Sequence, residues 1–247
     1  MIFKLKKEKI IIKTPAKSAC STCKTYIIDF LISCGELGED AKTIHCHTPN
    51  LLPEISSQKI IEDCHKNHGY DLYIIGRDPL DRFVSGMDEK FIKHYPNVNQ
   101  NVITEKNLIA NFYLWFFDNI SSDIKKLTYK HLIDFHCRNL EHSYEIDAHF
   151  APITDQVSKY FLDHCKVISA DDNLINNLNK IFKFNHVDYV GNKNKTMNDA
   201  TEFNSELFLQ NAISDRRSKH QCEYLQTSVK NFFKNDYIFY NNVEYVK

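Results

Sequence analysis

Lys17 stands among small hydroxyl- and thiol-bearing residues, in the run Thr14-Pro-Ala-Lys-Ser-Ala-Cys-Ser-Thr-Cys-Lys24. Before it lies a β-branched stretch, and after it a segment with apolar residues at helical spacing. A loop that opens a helix presents unpaired backbone N–H groups and the positive end of the helix dipole. Such a place binds anions. Lys17 adds a mobile positive charge, and Ser18, Ser21 and Thr22 add hydroxyl donors. The arrangement follows the logic of phosphate-cradling loops without their G-x-x-x-x-G-K-[ST] pattern. A polar loop that merely caps a helix is the plainer reading. Two others attach to the cysteines. Cys20 and Cys23 at a helix start form a C-x-x-C pair of the kind found in thioredoxin-like redox sites. With His45 and His47 the same pair has the donor types of a zinc site.

A second cluster of chemistry-bearing residues follows the run Tyr70-Asp-Leu-Tyr-Ile-Ile-Gly76. Arg77 stands where this buried strand ends, which is where open α/β sheets bind ligands. Asp78, Asp81, Arg82 and Ser85 follow on one helical face. An arginine fork and a hydroxyl converging there can grip a phosphate. The alternative is an arginine paired with Asp78 or Asp81 as a structural cap.

The elements that must position these groups are legible. Lys9–Thr14 reads as a strand ended by Pro15, and Lys24–Cys34 as a helix stopped by Gly35. Thr43–Cys46 is a candidate strand, Ser57–Asn67 a helix and Tyr70–Gly76 a buried strand. Pro79–His94 reads as a helix with Pro79 in its first turn and Asp78 placed to cap it. Lys106–Asn119 is an aromatic helix, and further helices are expected near 154–164, 171–183, 202–213 and 219–234. Strands alternating with helices imply an α/β fold, a parallel β-sheet flanked by helices. No repeat, low-complexity tract or linker divides the chain, so a single domain over 1–247 is expected.

Bulk properties exclude several classes. The chain has 247 residues, 43% of them hydrophobic and 26% charged, with formal net charge -1. That charge provides no field toward nucleic acid or an anionic membrane, so any anion site must be local. No apolar run reaches the ~18 residues of a membrane span. Met1-Ile2-Phe3-Lys4 is too quickly charged for a signal peptide. A cytoplasmic protein is therefore expected, with its eight cysteines as free thiols. Asn119-Ile-Ser121 and Asn194-Lys-Thr196 match the glycosylation pattern but carry little weight without a secretory signal.

Arg77-Asp-Pro-x-x-Arg82-x-x-Ser85 resembles the 3'-phosphate motif of sulfotransferases that use 3'-phosphoadenosine-5'-phosphosulfate (PAPS). Lys17-Ser-Ala-Cys-Ser-Thr22 resembles their 5'-phosphosulfate loop, and the two motifs stand in the family's order and separation. The likeness is to carbohydrate sulfotransferases of the Golgi type and their bacterial relatives. His149-Phe-Ala-Pro-Ile, Asn192-Lys-Asn194-Lys-Thr196 and Phe232–Tyr240 are similar to later segments of that group. The resemblance implies a P-loop-nucleotide-hydrolase-like sulfotransferase fold. It also implies transfer of a sulfuryl group from PAPS to a hydroxyl of a carbohydrate, or else of a non-carbohydrate acceptor. Lys17 would stabilise the leaving oxygen. Lys17, Ser18, Ala19, Cys20, Ser21 and Thr22 would hold the 5' end of PAPS, and Arg77 and Ser85 its 3'-phosphate. His47 in His47-Thr-Pro-x-x-Leu-Leu-Pro53 resembles the segment that carries the base, with His45 next and Glu89 as a carboxylate alternative. His149 would contact acceptor or cofactor. No metal is required, because lysine and arginine supply the positive charge. Two departures stand out. Ala19 occupies the family's usual glycine position, and Ala16 separates Pro15 from Lys17 where the family has them adjacent.

Overall fold

A computed structural model describes residues 1–42, 55–87, 108–123, 150–184 and 223–246, together with Lys126, His131 and Phe135. The chain divides into two compact units. The first comprises Met1–Asp78, Ile153–Asn194 and Ile238–Lys247, and the second Pro79–Pro152 and Lys195–Tyr237. The strand expected at Thr43–Cys46 and the helix expected at 202–213 lie outside the described residues.

The first unit is built on a four-stranded sheet of order β1-β2-β3-β4. Its strands are β1 (Ile2–Leu5), β2 (Ile10–Lys13), β3 (Asp71–Gly76) and β4 (Lys166–Ser169). β2, β3 and β4 run parallel, with Ile12 opposite Tyr73 and Ile74 opposite Val167. β1 pairs antiparallel with β2, Phe3 opposite Ile12. The sheet is thus mixed rather than wholly parallel as the sequence led one to expect. β1 is short and carries Lys4, which hid its period-two pattern: Phe3 and Leu5 are buried while Ile2 and Lys4 are only partly so. Mixed sheets with one antiparallel edge strand are common in α/β proteins.

Alternation along the parallel strands feeds two cores. On one face Ile10, Ile12, Tyr73, Ile75 and Ile168 pack with Tyr26, Ile27, Phe30, Leu174, Leu178 and Phe182. These last six come from α1 (Cys20–Ser33) and α6 (Leu174–Phe182). On the other face Ile11, Leu72, Ile74 and Val167 pack with Ile61, Cys64, Phe161 and Tyr240. They meet α2 (Gln58–His68), α5 (Lys159–His164) and the later part of α8 (Lys234–Asn242). A sheet covered on both faces explains why β2 and β3 read as continuous apolar runs. β4 escaped detection because only Val167 and Ile168 of its four residues are buried, too short a signal to stand apart from the preceding helix. Gly76 ends β3 in a tight place. A Cβ there would lie 2.5 Å from Val167 Cγ1 and 2.9 Å from Tyr240 Cε1, so only glycine lets the strand close onto its neighbours.

The second unit includes α3 (Pro79–Met87), α4 (Leu108–Asn119) and α7 (Glu223–Phe232). Pro79 opens α3 as its sequence position suggested. The helix expected over 219–234 ends at Phe232, and α8 begins two residues later, its residues up to Tyr237 belonging to this unit. Phe112 packs edge-on against Phe135, and Phe83 against Phe150 and Phe233. The centre of this unit is polar. Arg82 and Asp236 are both 0% exposed, joined at 3.3 Å. Arg82 Nη2 also donates to the Ala151 carbonyl at 2.8 Å, and its guanidinium lies 5.1 Å from the Phe233 ring centroid. Arg82 thus pairs with a carboxylate 154 residues away in sequence. It is a structural pin rather than an exposed anion ligand.

Removing one member of such a pair strands a buried charge, which costs far more than the pair contributes. Arg82→Met is expected to lower the unfolding free energy by about 3–5 kcal/mol, read by urea denaturation. Arg82→Met combined with Asp236→Leu should recover most of that loss. A single-variant loss under about 1 kcal/mol would contradict the pin.

Candidate active site

The three parallel strands point the same way, so the segments after Lys13, Gly76 and Ser169 leave one edge of the sheet. This carboxyl edge is where open α/β sheets bind ligands. From β2 the chain passes through Thr14–Ala19 into α1. Lys17 has φ 62° and Ala19 φ 54°, both left-handed. The latter is followed at once by the right-handed helix that begins at Cys20. A left-handed residue joined to a right-handed one turns successive N–H groups toward a common concavity, an anion nest. The Ala19 cap makes no side-chain hydrogen bond to the helix, and the first turn of α1 contains no acidic residue. The positive end of α1 is therefore not neutralised by an acid of its own first turn and can accept an anion.

Two buried hydroxyls reinforce this. Thr14 is 1% and Ser18 0% exposed, and among the described residues neither Oγ has a hydrogen-bond partner. Buried polar groups are normally satisfied, so each such exception calls for a cause. The departure at Ala19 now has a physical meaning. The left-handed conformation that glycine adopts freely is held here with a methyl group present, at a cost of about 1–2 kcal/mol.

Arg77, immediately after Gly76, reaches across to this loop. Its Nη1 donates to the Lys17 carbonyl at 2.9 Å. The structure therefore brings together Lys17 and Arg77, 60 residues apart in sequence, along with Ser18, Ala19, Cys20, Ser21 and Thr22 on the same turn. Ser85 lies on α3 in the second unit, 7% exposed. His45, His47, Glu89, His149 and Asn192–Thr196 lie outside the described residues.

The cysteines serve packing in the main. Cys23 belongs to the core under α1, 0% exposed, and burial drives its thiol well above the ordinary cysteine range. Cys20, by contrast, is half-exposed at the helix start. Cys20, Cys23, Cys34, Cys64 and Cys165 are free thiols. Among the described residues no group of three His, Cys, Asp or Glu is placed to hold a metal ion, and no helix is long and apolar enough to cross a membrane. The Lys17–Arg77 tie was not foreseen as a direct bond. The order of the two motifs hinted at proximity, but nothing in the residues specified a guanidinium-to-carbonyl contact.

These features define an α/β protein with a strand-loop-helix turn at the carboxyl edge of its sheet whose backbone geometry suits an anion. A family model described as "Sulfotransferase family" matches residues 2–245. The chain belongs to the sulfotransferase family, and the match sets aside the thioredoxin-like reading of Cys20 and Cys23. No curated protein and no solved structure matches the chain.

Ala19→Gly should relieve the left-handed strain, partly offset by the greater freedom of glycine in the unfolded chain. The expected net gain is about 0.5–1 kcal/mol, a rise of roughly 1–4 °C in melting temperature by calorimetry. A fall in melting temperature would show that the methyl group is itself packed to advantage.

Proposed function

We propose that this sulfotransferase takes its sulfuryl group from PAPS and delivers it to a hydroxyl of a carbohydrate. The whole length from 1 to 247 serves as one sulfotransferase domain of the P-loop-nucleotide-hydrolase-like kind, since the family match runs through both units. The observation that carries the donor assignment is the Arg77 guanidinium held against the Lys17 carbonyl. It supports a single anionic molecule spanning the two motifs. The residues also fit such a donor on other grounds. The nest at Ala19–Cys20 and the unpartnered hydroxyls of Thr14 and Ser18 offer hydrogen bonds at one end. The Arg77 guanidinium, held at the end of β3, is the kind of planar cation that recognises phosphate.

PAPS supplies an activated sulfuryl group, which passes to the acceptor oxygen as its bond to the bisphosphate breaks. Positioning and charge stabilisation are expected to supply most of the rate, as in phosphoryl transfer. The backbone N–H groups from Ala19 to Thr22, with the Ser21 and Thr22 hydroxyls, hold the 5'-phosphate. Lys17 places its ammonium where charge grows on the leaving oxygen. Arg77 binds the 3'-phosphate while its bond to Lys17 fixes the loop. His47, or His45, takes the proton from the acceptor hydroxyl, since an imidazole titrates near neutral pH. The carbohydrate class of the acceptor rests on the likeness of the two motifs to carbohydrate sulfotransferases.

Adenosine 3',5'-bisphosphate should raise the melting temperature by several degrees at about 100 times its dissociation constant, where stabilisation reaches about 2.7 kcal/mol. AMP at the same concentration should do much less, because it leaves Arg77 unused. Equal shifts would remove the reason for choosing this donor. Lys17→Ala should keep the fold by circular dichroism and lose roughly 10²–10³-fold in labelled-sulfate transfer to a glycan panel. Undiminished turnover would exclude its assigned role.

A further inference from the structure

Lys24 has no role in the motifs above, yet its surroundings are unusual. It is 7% exposed. Among the described residues it has no ion pair and no hydrogen bond. A lysine covered to this degree is normally paired. It also sits where a cation is least welcome, at the start of the second turn of α1, close to the positive end of the helix dipole.

Its placement relative to the loop gives the reason. Lys24 is four residues after Cys20, so the two share one face of α1. Helical side chains tilt toward the amino end and cover the turn before their own Cα. A lysine stem spans about one helical turn of 5.4 Å. An extended Lys24 side chain is thus long enough to reach back to the level of Cys20, at the turn that contains Ala19. Around that turn the first helical residues carry no acid, and the sealed hydroxyls of Ser18 and Thr14 also lack partners. One cation and two hydroxyls left unmatched about one turn share a single remedy, an anion with several acceptor oxygens.

We propose that Lys24 is a second cation of the donor site, binding the 5'-phosphate of the donor from the helix side while Lys17 serves the leaving oxygen. This rests on the donor reading above. It also bears on Ala19: a loop with a methyl group in place of glycine's hydrogen limits close approach of the backbone to phosphate, and an added ammonium restores attraction. The alternative is a lysine whose stem covers apolar surface while its head reaches water. That role affects stability and is indifferent to the ligand's phosphates.

The test is calorimetric titration of wild type, Lys24→Met and Lys24→Arg with adenosine 3',5'-bisphosphate and with adenosine 3'-monophosphate, alongside urea denaturation of each variant. Lys24→Met should weaken the bisphosphate about 10- to 100-fold, as expected for a lost charged hydrogen bond. It should leave the 3'-monophosphate within about twofold, because that ligand lacks the group Lys24 grips. Lys24→Arg should regain most of the lost affinity. Unchanged bisphosphate affinity in Lys24→Met, or equal weakening of both ligands, would overturn the assignment while leaving the donor reading intact. Wild-type protein that fails to prefer the bisphosphate over AMP would overturn the donor reading, and this proposal with it.

Discussion

The bond from Arg77 to the carbonyl of Lys17 fixes the geometry on which the proposed chemistry depends. The Thr14–Ala19 turn is held in two left-handed residues, neither of them glycine, and so stores strain that something must hold in place. One constraint is the helix that begins at Cys20. The other is the guanidinium at the end of β3, 2.9 Å from the turn's own backbone. A charge-assisted bond of this kind is stronger and more directional than a neutral one. It joins the turn after β2 to the corner after β3, the two points proposed to hold the donor.

The rest of the first unit can be understood as support for that contact. β2 and β3 are neighbours and parallel, which brings their ends to the same edge. Their side chains are buried on both faces, so neither strand can slide or flip without exposing an apolar row. Gly76 lets β3 lie against Val167 and Tyr240 just before Arg77 leaves the sheet. In the second unit a different device does comparable work. The sealed Arg82–Asp236 pair and the Phe233 ring fix α3 with α7 and α8 through directional contacts as well as apolar packing.

Much of this was legible in the residues. β2, β3, α1 and α2 were found within a few positions, because long apolar runs and glycine stops are local signals. The strand-turn-helix junction at Lys17 was legible for the same reason: hydroxyls and a lysine between a strand and a helix are a local pattern. What stayed hidden depends on contacts distant in sequence. β1 and β4 are four residues each and become strands only by pairing with β2 and β3. The role of Arg82 depends on Asp236, and no spacing rule links residues 154 apart. That Ala19 stands at the family's usual glycine position was legible, and its left-handed backbone was not. The tie from Arg77 to a carbonyl was not, since a backbone acceptor has no signature of its own.

The central claim is that the Lys17 turn and the Arg77 corner hold opposite ends of one doubly phosphorylated nucleotide. A crystal structure of the protein with adenosine 3',5'-bisphosphate tests it most directly. The account predicts the 5'-phosphate on the backbone N–H groups of Ala19 to Thr22 and the 3'-phosphate on the Arg77 guanidinium, with the Arg77–Lys17 bond intact. Phosphates bound elsewhere, or a nucleotide that touches only one of the two motifs, would contradict it.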